Sequence, residues 1–349
     1  MGLLDRLIAQ IAESGPISVA QYMTACLHDP LDGYYATRPA LGAAGDFITA
    51  PLVSQMFGEL IGLWAVEAWV RMGRPAPVRL VEMGPGDGTL MEDLLRAARL
   101  VPDFLAAAEV WLVETSPPLR GLQQARLGPV PNWATSLAEV PAGAPLLLIA
   151  NELLDCLPCH QYVCVRGGWA ERRVGIDGDG HLAFGLTGVP FQRPGAALGS
   201  VLEQAPAQEA LGTELGDRIA VDGGAALLID YGRSEPGYGD TLQALRRHQK
   251  EGPLENPGQA DLTVHADFPA VLAAAAAAGA ATAPILTQGA FLTRLGILER
   301  TEVLRRARPD QGEVLDRQRE RLVSPHQMGE LFKVACIHSP GLVPPGFET

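Results

Sequence analysis

The chain has 349 residues, 47% of them hydrophobic, which is enough for about two domains or one large α/β domain with insertions. Its formal net charge of −13, with lysine only at Lys250 and Lys333, argues against a nucleic-acid-binding face, because phosphate contacts need clustered Lys and Arg. Asp5, Arg6 and Glu13 interrupt an amphipathic N-terminal helix, a pattern unlike a signal or transit peptide; the expected compartment is therefore the cytoplasm, with Met1 starting the mature protein.

In chain order, Leu3, Leu4, Leu7, Ile8 and Ile11 fall at helical spacing, and Pro16 opens a second helix through Tyr22 and Met23. Residues 28–51 are turn-rich and carry Asp29-Pro30, Asp32-Gly33-Tyr34-Tyr35 and Gly45-Asp46-Phe47. A long loop bearing aromatic and acidic residues is expected to line a site. Residues 54–72 form a helix with Phe57, Leu60, Ile61, Trp64 and Ala68 along its apolar face.

The organising stretch is residues 78–94. A short apolar strand (Val78, Leu80, Val81, Met83) leads into Gly84, Gly86 and Gly88, then into a helix carrying Leu90 and Leu94. A glycine-rich turn at a helix N-terminus lets a ligand approach the backbone closely. Thr89 breaks the G-x-G-x-x-G dinucleotide fingerprint, and no Gly-Lys-Ser/Thr follows as in a P-loop. Glu82 two places before G-x-G-x-G is instead the first motif of S-adenosylmethionine-dependent methyltransferases, and Glu82 and Asp87 suit a cationic ligand better than a polyphosphate.

Further strands are expected at 110–114, 132–135 and 145–150, with a helix over 119–127. Glu114 ends the second strand, where one carboxylate can accept from both hydroxyls of a ribose. The fourth strand runs into Asn151, Glu152 and Asp155, at the end of a parallel strand that faces a ligand crevice. An antiparallel insertion follows, with Asp177-Gly178 as a hairpin turn, then a Pro/Gly/Gln segment to about residue 216. Residues 224–232 form a fifth strand, 237–263 a polar loop, and 271–281 an Ala-rich helix too interrupted to span a membrane. A last strand near Ile285 and a helical C-terminus over 296–332 complete the pattern.

Cys26, Cys156, Cys159, Cys164 and Cys336 make an odd number, which suggests no disulfide framework. Cys156-Leu157-Pro158-Cys159-His160 fits a c-type haem attachment pattern, but that chemistry needs export to an oxidising compartment. A metal site would lack a second C-x-x-C half, so coincidence is the preferred reading and no metal is expected.

The chain resembles the MidA-like family, which includes the mitochondrial complex I assembly factor that is a protein arginine methyltransferase. The resemblance spans nearly the whole chain. It rests on Gly45-Asp-Phe-Ile-Thr-Ala-Pro51, Ser54-Gln-Met-Phe-Gly58, the block from Glu82 to Leu90, and Val113-Glu-Thr-Ser-Pro117. It continues through Ala150-Asn-Glu-Leu-Leu-Asp155, Ile229-Asp-Tyr-Gly232, Gly239-Asp-Thr-Leu242, Asn256-Pro-Gly258, Ala260-Asp-Leu-Thr263, Thr287-Gln-Gly289 and Met328-Gly-Glu-Leu-Phe-Lys333. It implies a class I methyltransferase (Rossmann-like) α/β fold with a mostly parallel sheet, S-adenosyl-L-methionine as cofactor, and methylation of an arginine on a complex I subunit. Asp87 departs from the Arg or other large polar residue usual in the family. Leu153, Leu154 and Cys156 replace its more aromatic and alanine-like residues.

The expected organisation is a helical and loop segment over 1–77 covering the site. The cofactor domain spans 78–158 and 222–349, and a β-rich insertion over 159–221 is expected to form a partner or substrate surface. Cofactor contacts are expected from Glu82, Gly84, Gly86, Gly88, Thr89, Glu114 and Asn151, with Asp46, Thr49, Ser54 and Gln55 from the N-terminal loop. Glu152 and Asp155 are the expected catalytic carboxylates, gripping a guanidinium and taking its proton. An assembly or scaffolding factor using a retained methyltransferase fold, and a small-molecule methyltransferase, are the alternatives.

Overall fold

The computed structural model describes residues 1–37, 49–191, 193 and 195–348. Its centre is the mostly parallel sheet expected from the apolar runs. Strands Val78–Met83, Ala108–Val113, Asn132–Ala134, Leu146–Asn151 and Gly224–Arg233 run parallel, and Phe332–His338 joins antiparallel to Gly224–Arg233. The spatial order is Ala281–Thr282, Phe332–His338, Gly224–Arg233, Leu146–Asn151, Val78–Met83, Ala108–Val113, Asn132–Ala134.

The chain therefore starts at Val78–Met83, moves outward to Asn132–Ala134, and returns to build the other half from Leu146–Asn151. That reversal opens a crevice beyond the carboxyl ends of Val78–Met83 and its two neighbours, which is where ligands bind in such sheets.

Both faces of the sheet are covered, so its strands read as continuous apolar runs rather than alternating ones. Leu80, Leu147, Ile149 and Leu227 pack with Phe57, Leu60, Trp64 and Leu94 from helices Gln55–Arg71 and Thr89–Ala98. Val81, Leu148, Ala226 and Leu228 pack on the other side with Leu215, Ile219, Val271 and Ala275.

The segment up to residue 216, expected to be irregular, contains strand Val201–Gln204 and helix Pro206–Asp222. The helix glycines Gly212 and Gly216 are contact points rather than breakers. A Cβ on Gly216 would sit 2.5 Å from the Ala275 carbonyl oxygen of helix Phe268–Ala277. The C-terminal helices reach Leu331, at the end of the expected 296–332, and beyond them the buried run Val334-Ala335-Cys336-Ile337, for which no strand was expected, forms the last sheet strand. Part of the expected polar loop over 237–263 pairs as a small sheet of Gln243–Arg246, Gln249–Glu251 and Asp261–Thr263.

The insertion is an antiparallel sheet of His160–Val165, Gly168–Ile176, Leu182–Val189 and Val201–Gln204, and Asp177-Gly178 lies in its hairpin turn. Ile17–Ser18 pairs with Val174 and Arg173, so the N-terminal segment and the insertion share one sheet. Among the described residues no helix is long and apolar enough to cross a membrane.

Candidate active site

The glycine turn occupies the switch point. Gly84, Gly86 and Gly88 have φ of 67°, 55° and 85°, the left-handed region that a Cβ disfavours. Two cavities meet at this turn. A narrow one of about 50 Å³ is walled by Thr49, Pro51, Leu52, Glu82, Asp87, Thr89 and Asn151, among others. A larger one of about 290 Å³ is walled by His28, Tyr35, Glu114, Thr115, Thr135, Cys156 and Leu157, among others. Gly84, Gly86 and Glu152 line both. A roomier groove of about 660 Å³ runs along helix Pro206–Asp222 and shares no wall with the turn.

Glu82 is buried, and its Oε2 has no hydrogen-bond partner among the described residues. Burial, then the charges of Asp87 and Glu114, push its carboxyl up to about 8. Oδ1 of buried Asn151 is also without a partner. Unsatisfied acceptors in a cavity walled by further carboxylates fit a positively charged, hydrogen-bond-donating ligand. An aminoacyl sulfonium with a ribose has that character. S-adenosylmethionine supplies the electrophilic methyl group when bound; Glu82 and Asn151 would hold its charged end and Glu114 its ribose.

Glu114 is buried, and burial raises its pKa. Its Oε1 accepts the Ser116 N–H at 2.7 Å and its Oε2 accepts Gln123 Nε2 at 3.2 Å. Arg120 donates to its carbonyl at 2.8 Å. Thr89 lines the cavity wall, but its hydroxyl donates to Asp87 Oδ1 at 2.7 Å. Asp87 is countered by Arg126 at 2.8 Å, so the local charge that departs from the family pattern is balanced within the chain.

Glu152 has φ 54°, unusual for a residue with a side chain. It is half-buried, and its Oε1 accepts the Ala50 N–H at 3.0 Å and Asn151 Nδ2 at 3.1 Å. Burial raises it to about 7; Asp155 adds to the rise, and the Ala50 and Asn151 donors oppose it. No Arg, Lys or His forms an ion pair with it among the described residues.

Asp155 does not share this position. It is buried, lines neither cavity, and sits beside Tyr231 and Asp230, where burial raises it to about 6. The chain turns after Asn151, which sends the carboxylates at 152 and 155 to different environments. Asp230 Oδ2 fixes that turn by accepting Leu154 N–H at 2.9 Å and Asp155 N–H at 3.1 Å.

Ser54 and Gln55 also face away from the cavities. Ser54 Oγ caps the helix by accepting Met56 N–H, and Gln55 donates to Glu59. Thr49 lines the narrow cavity; Asp46 lies outside the described residues. From the loop expected to line a site, His28 and Tyr35 wall the larger cavity, stacked with centroids 6.0 Å apart and with Tyr35 donating to Asp261; Gln123, Arg126 and Asp230 are residues that sequence reasoning gave no role. Gln123 had a signal, being a polar residue four places after Leu119 on the buried face of its helix.

The cysteines take separate partners. Cys156 Sγ donates to the Leu153 carbonyl, Cys159 Sγ to the His160 carbonyl, and His160 Nδ1 faces Glu171 at 2.9 Å.

The family model described as "Putative S-adenosyl-L-methionine-dependent methyltransferase" matches residues 60–286. The chain belongs to this methyltransferase family. It is 35% identical to "Protein arginine methyltransferase NDUFAF7, mitochondrial" of Danio rerio, covering 95% of this chain and 85% of that one. The protein of the same name from Homo sapiens is 34% identical, with 95% and 82% covered. A COG1565 superfamily member and likely methyl transferase of Burkholderia thailandensis, bound to S-adenosyl-homocysteine, superposes with a TM-score of 0.84 at 27% identity, covering 99% of this chain and 92% of that one. The methyltransferase cofactor is S-adenosylmethionine. The cytoplasmic expectation is corrected by these names, since the relatives are mitochondrial proteins. The acidic residues behind that expectation belong to helix Leu3–Ser14, whose Leu3, Leu7 and Ile11 are buried, so they report packing rather than compartment.

Proposed function

We propose that this methyltransferase transfers its methyl group to an arginine side chain of a protein, and that the protein is a subunit of respiratory complex I or of its bacterial counterpart, modified during assembly. The observation that carries the reading is Glu152, a carboxylate shared by both cavities, with no ion-pair partner among the described residues. Its chemistry suits the acceptor. A guanidinium, with a pKa above ~12, is a poor nucleophile. A carboxylate that hydrogen-bonds it draws positive charge away from the attacking nitrogen and takes the departing proton. Asp155, behind Glu152, tunes this carboxylate electrostatically instead of touching the acceptor. The relatives named protein arginine methyltransferase support the substrate class. The chain's net charge of −13 favours approach of a basic segment.

The test is to delete the gene, isolate the complex and map methylated arginines by mass spectrometry, restoring wild type and Glu152→Gln in parallel. A methylarginine lost on deletion, regained with wild type and not with Glu152→Gln, is the expected result. An arginine pattern unchanged by deletion would put the scaffolding reading ahead. Full restoration by Glu152→Gln would move the carboxylate role elsewhere.

A further inference from the structure

Gln123 is completely buried, and among the described residues its side chain bonds to parts of the cofactor cleft and its supporting strand. Its Nε2 donates to the Gly86 carbonyl at 2.8 Å and to Glu114 Oε2 at 3.2 Å, while its Oε1 accepts Trp133 Nε1 at 2.9 Å. The amide orientation follows from the partners. An indole N–H can only donate, and a carbonyl and a carboxylate can only accept, so the oxygen faces Trp133 and the NH₂ group faces the other two. One side chain thus joins the middle of the glycine turn, the acid ending the second strand and the third strand.

The consequence lies in what remains of Glu114. A carboxylate offers about four lone-pair sites. Ser116 N–H holds Oε1 and Gln123 holds Oε2, with the Thr115 N–H as a further donor, so the carboxylate is held at both oxygens and keeps acceptor capacity toward the cavity it lines. A carboxylate held at both oxygens presents its remaining acceptor capacity to a vicinal diol in one fixed orientation. We propose that Gln123 is a positioning residue that sets recognition of the ribose diol, holding Glu114 in register with the Gly86 backbone. This rests on Glu114 as the ribose acceptor, and the experiment separates the two.

Calorimetry on the purified full chain measures S-adenosylhomocysteine and its 2′-deoxy analogue. Wild type should prefer the diol by ~10-fold or more, the range of one hydrogen bond to a charged group. Gln123→Met keeps the volume and removes both donors, and Gln123→Glu keeps the acceptor for Trp133 while removing both donors. Each should weaken S-adenosylhomocysteine by ~10–100-fold and bring the ratio between the two ligands towards one. A general loosening of the fold would instead weaken both ligands together and leave their ratio intact, which overturns the proposal. Glu114→Gln runs alongside. If it keeps the wild-type ratio, the ribose reading of Glu114 fails; if it loses the ratio while folded Gln123 variants keep it, only the role of Gln123 fails. If neither Gln123 variant folds, the residue is a core element and the proposal falls.

Discussion

The carboxylate of Glu152 accepts the backbone N–H of Ala50 at 3.0 Å, joining points 102 residues apart in the chain. It ties the segment that walls the cleft, through Thr49, Pro51 and Leu52, to the end of a central sheet strand. The same residue sits at φ 54°, a conformation that costs of order 1–3 kcal/mol and persists only where the surroundings enforce it. Strain, a cross-chain tether and a raised pKa on one acid at the strand ends motivate its proposed catalytic role.

Glu152→Gln keeps an acceptor for Ala50, so the cleft wall should stay in place. S-adenosylhomocysteine affinity should change less than ~3-fold, while kcat falls by ~10²-fold or more, because charge localisation acts mainly in the transition state. Comparable losses in binding and turnover would make Glu152 a structural tether.

With its carboxyl near 7, Glu152 acts as a base only when ionised. Methyl transfer under saturating substrates should therefore rise with pH through about 7 and then level. A profile flat from pH 6 to 8 with chemistry rate-limiting would remove it as the proton acceptor.

Glu82, Glu152 and Asp155, raised mainly by burial to about 8, 7 and 6, also shape stability. Each folded-state value lies above its unfolded one, so each group stabilises the fold fully below the unfolded value and loses that contribution as pH rises through its folded value. Ligand-free protein should melt at a higher temperature at pH 6 than at pH 8. Differential scanning fluorimetry decides, and an increase in melting temperature towards pH 8 would contradict this account.

Gly86→Val puts a β-branched side chain at φ 55°, where even an unbranched one is strained. Loss of detectable S-adenosylhomocysteine binding by calorimetry, with the far-ultraviolet circular dichroism preserved, is expected. Unaltered binding would place the cofactor elsewhere.

The sheet and the glycine turn were legible because both are local signals: apolar runs of strand length, and glycines where φ must be positive. Helix Pro206–Asp222 was hidden because Gly212 and Gly216 resemble breakers until the neighbouring helix is known to press against them. Ser54 and Gln55 share a motif with Thr49, but only tertiary structure shows that Ser54 and Gln55 serve the helix while Thr49 walls the cleft. Glu152 and Asp155 are separated by the turn after Asn151, whose geometry depends on Asp230, 75 residues beyond Asp155. Spacing along the chain carries no trace of that long-range contact.

Asp230 is the remaining determinant of the site. It is fully buried and accepts three backbone N–H groups: Tyr231 on Oδ1 at 2.8 Å, and Leu154 and Asp155 on Oδ2. Burial and the charges of Asp155 and Glu152 raise its pKa well above the usual range, while the N–H groups of Asp155 and Tyr231 oppose the rise. Charge repulsion alone would make its removal stabilising. The donors decide otherwise, because Asp230→Ala leaves three N–H groups in a dry interior, and a buried unsatisfied group costs ~1–3 kcal/mol. Asp230→Ala should therefore lower the urea midpoint, and kcat should fall more than S-adenosylhomocysteine affinity, since the released turn carries Glu152 and not Glu114. Asp230→Asn retains one acceptor oxygen and should fall between wild type and Asp230→Ala in both measurements. An Asp230→Ala protein with unchanged midpoint and unchanged kcat would show that the Asn151–Asp155 turn holds its shape without this carboxylate.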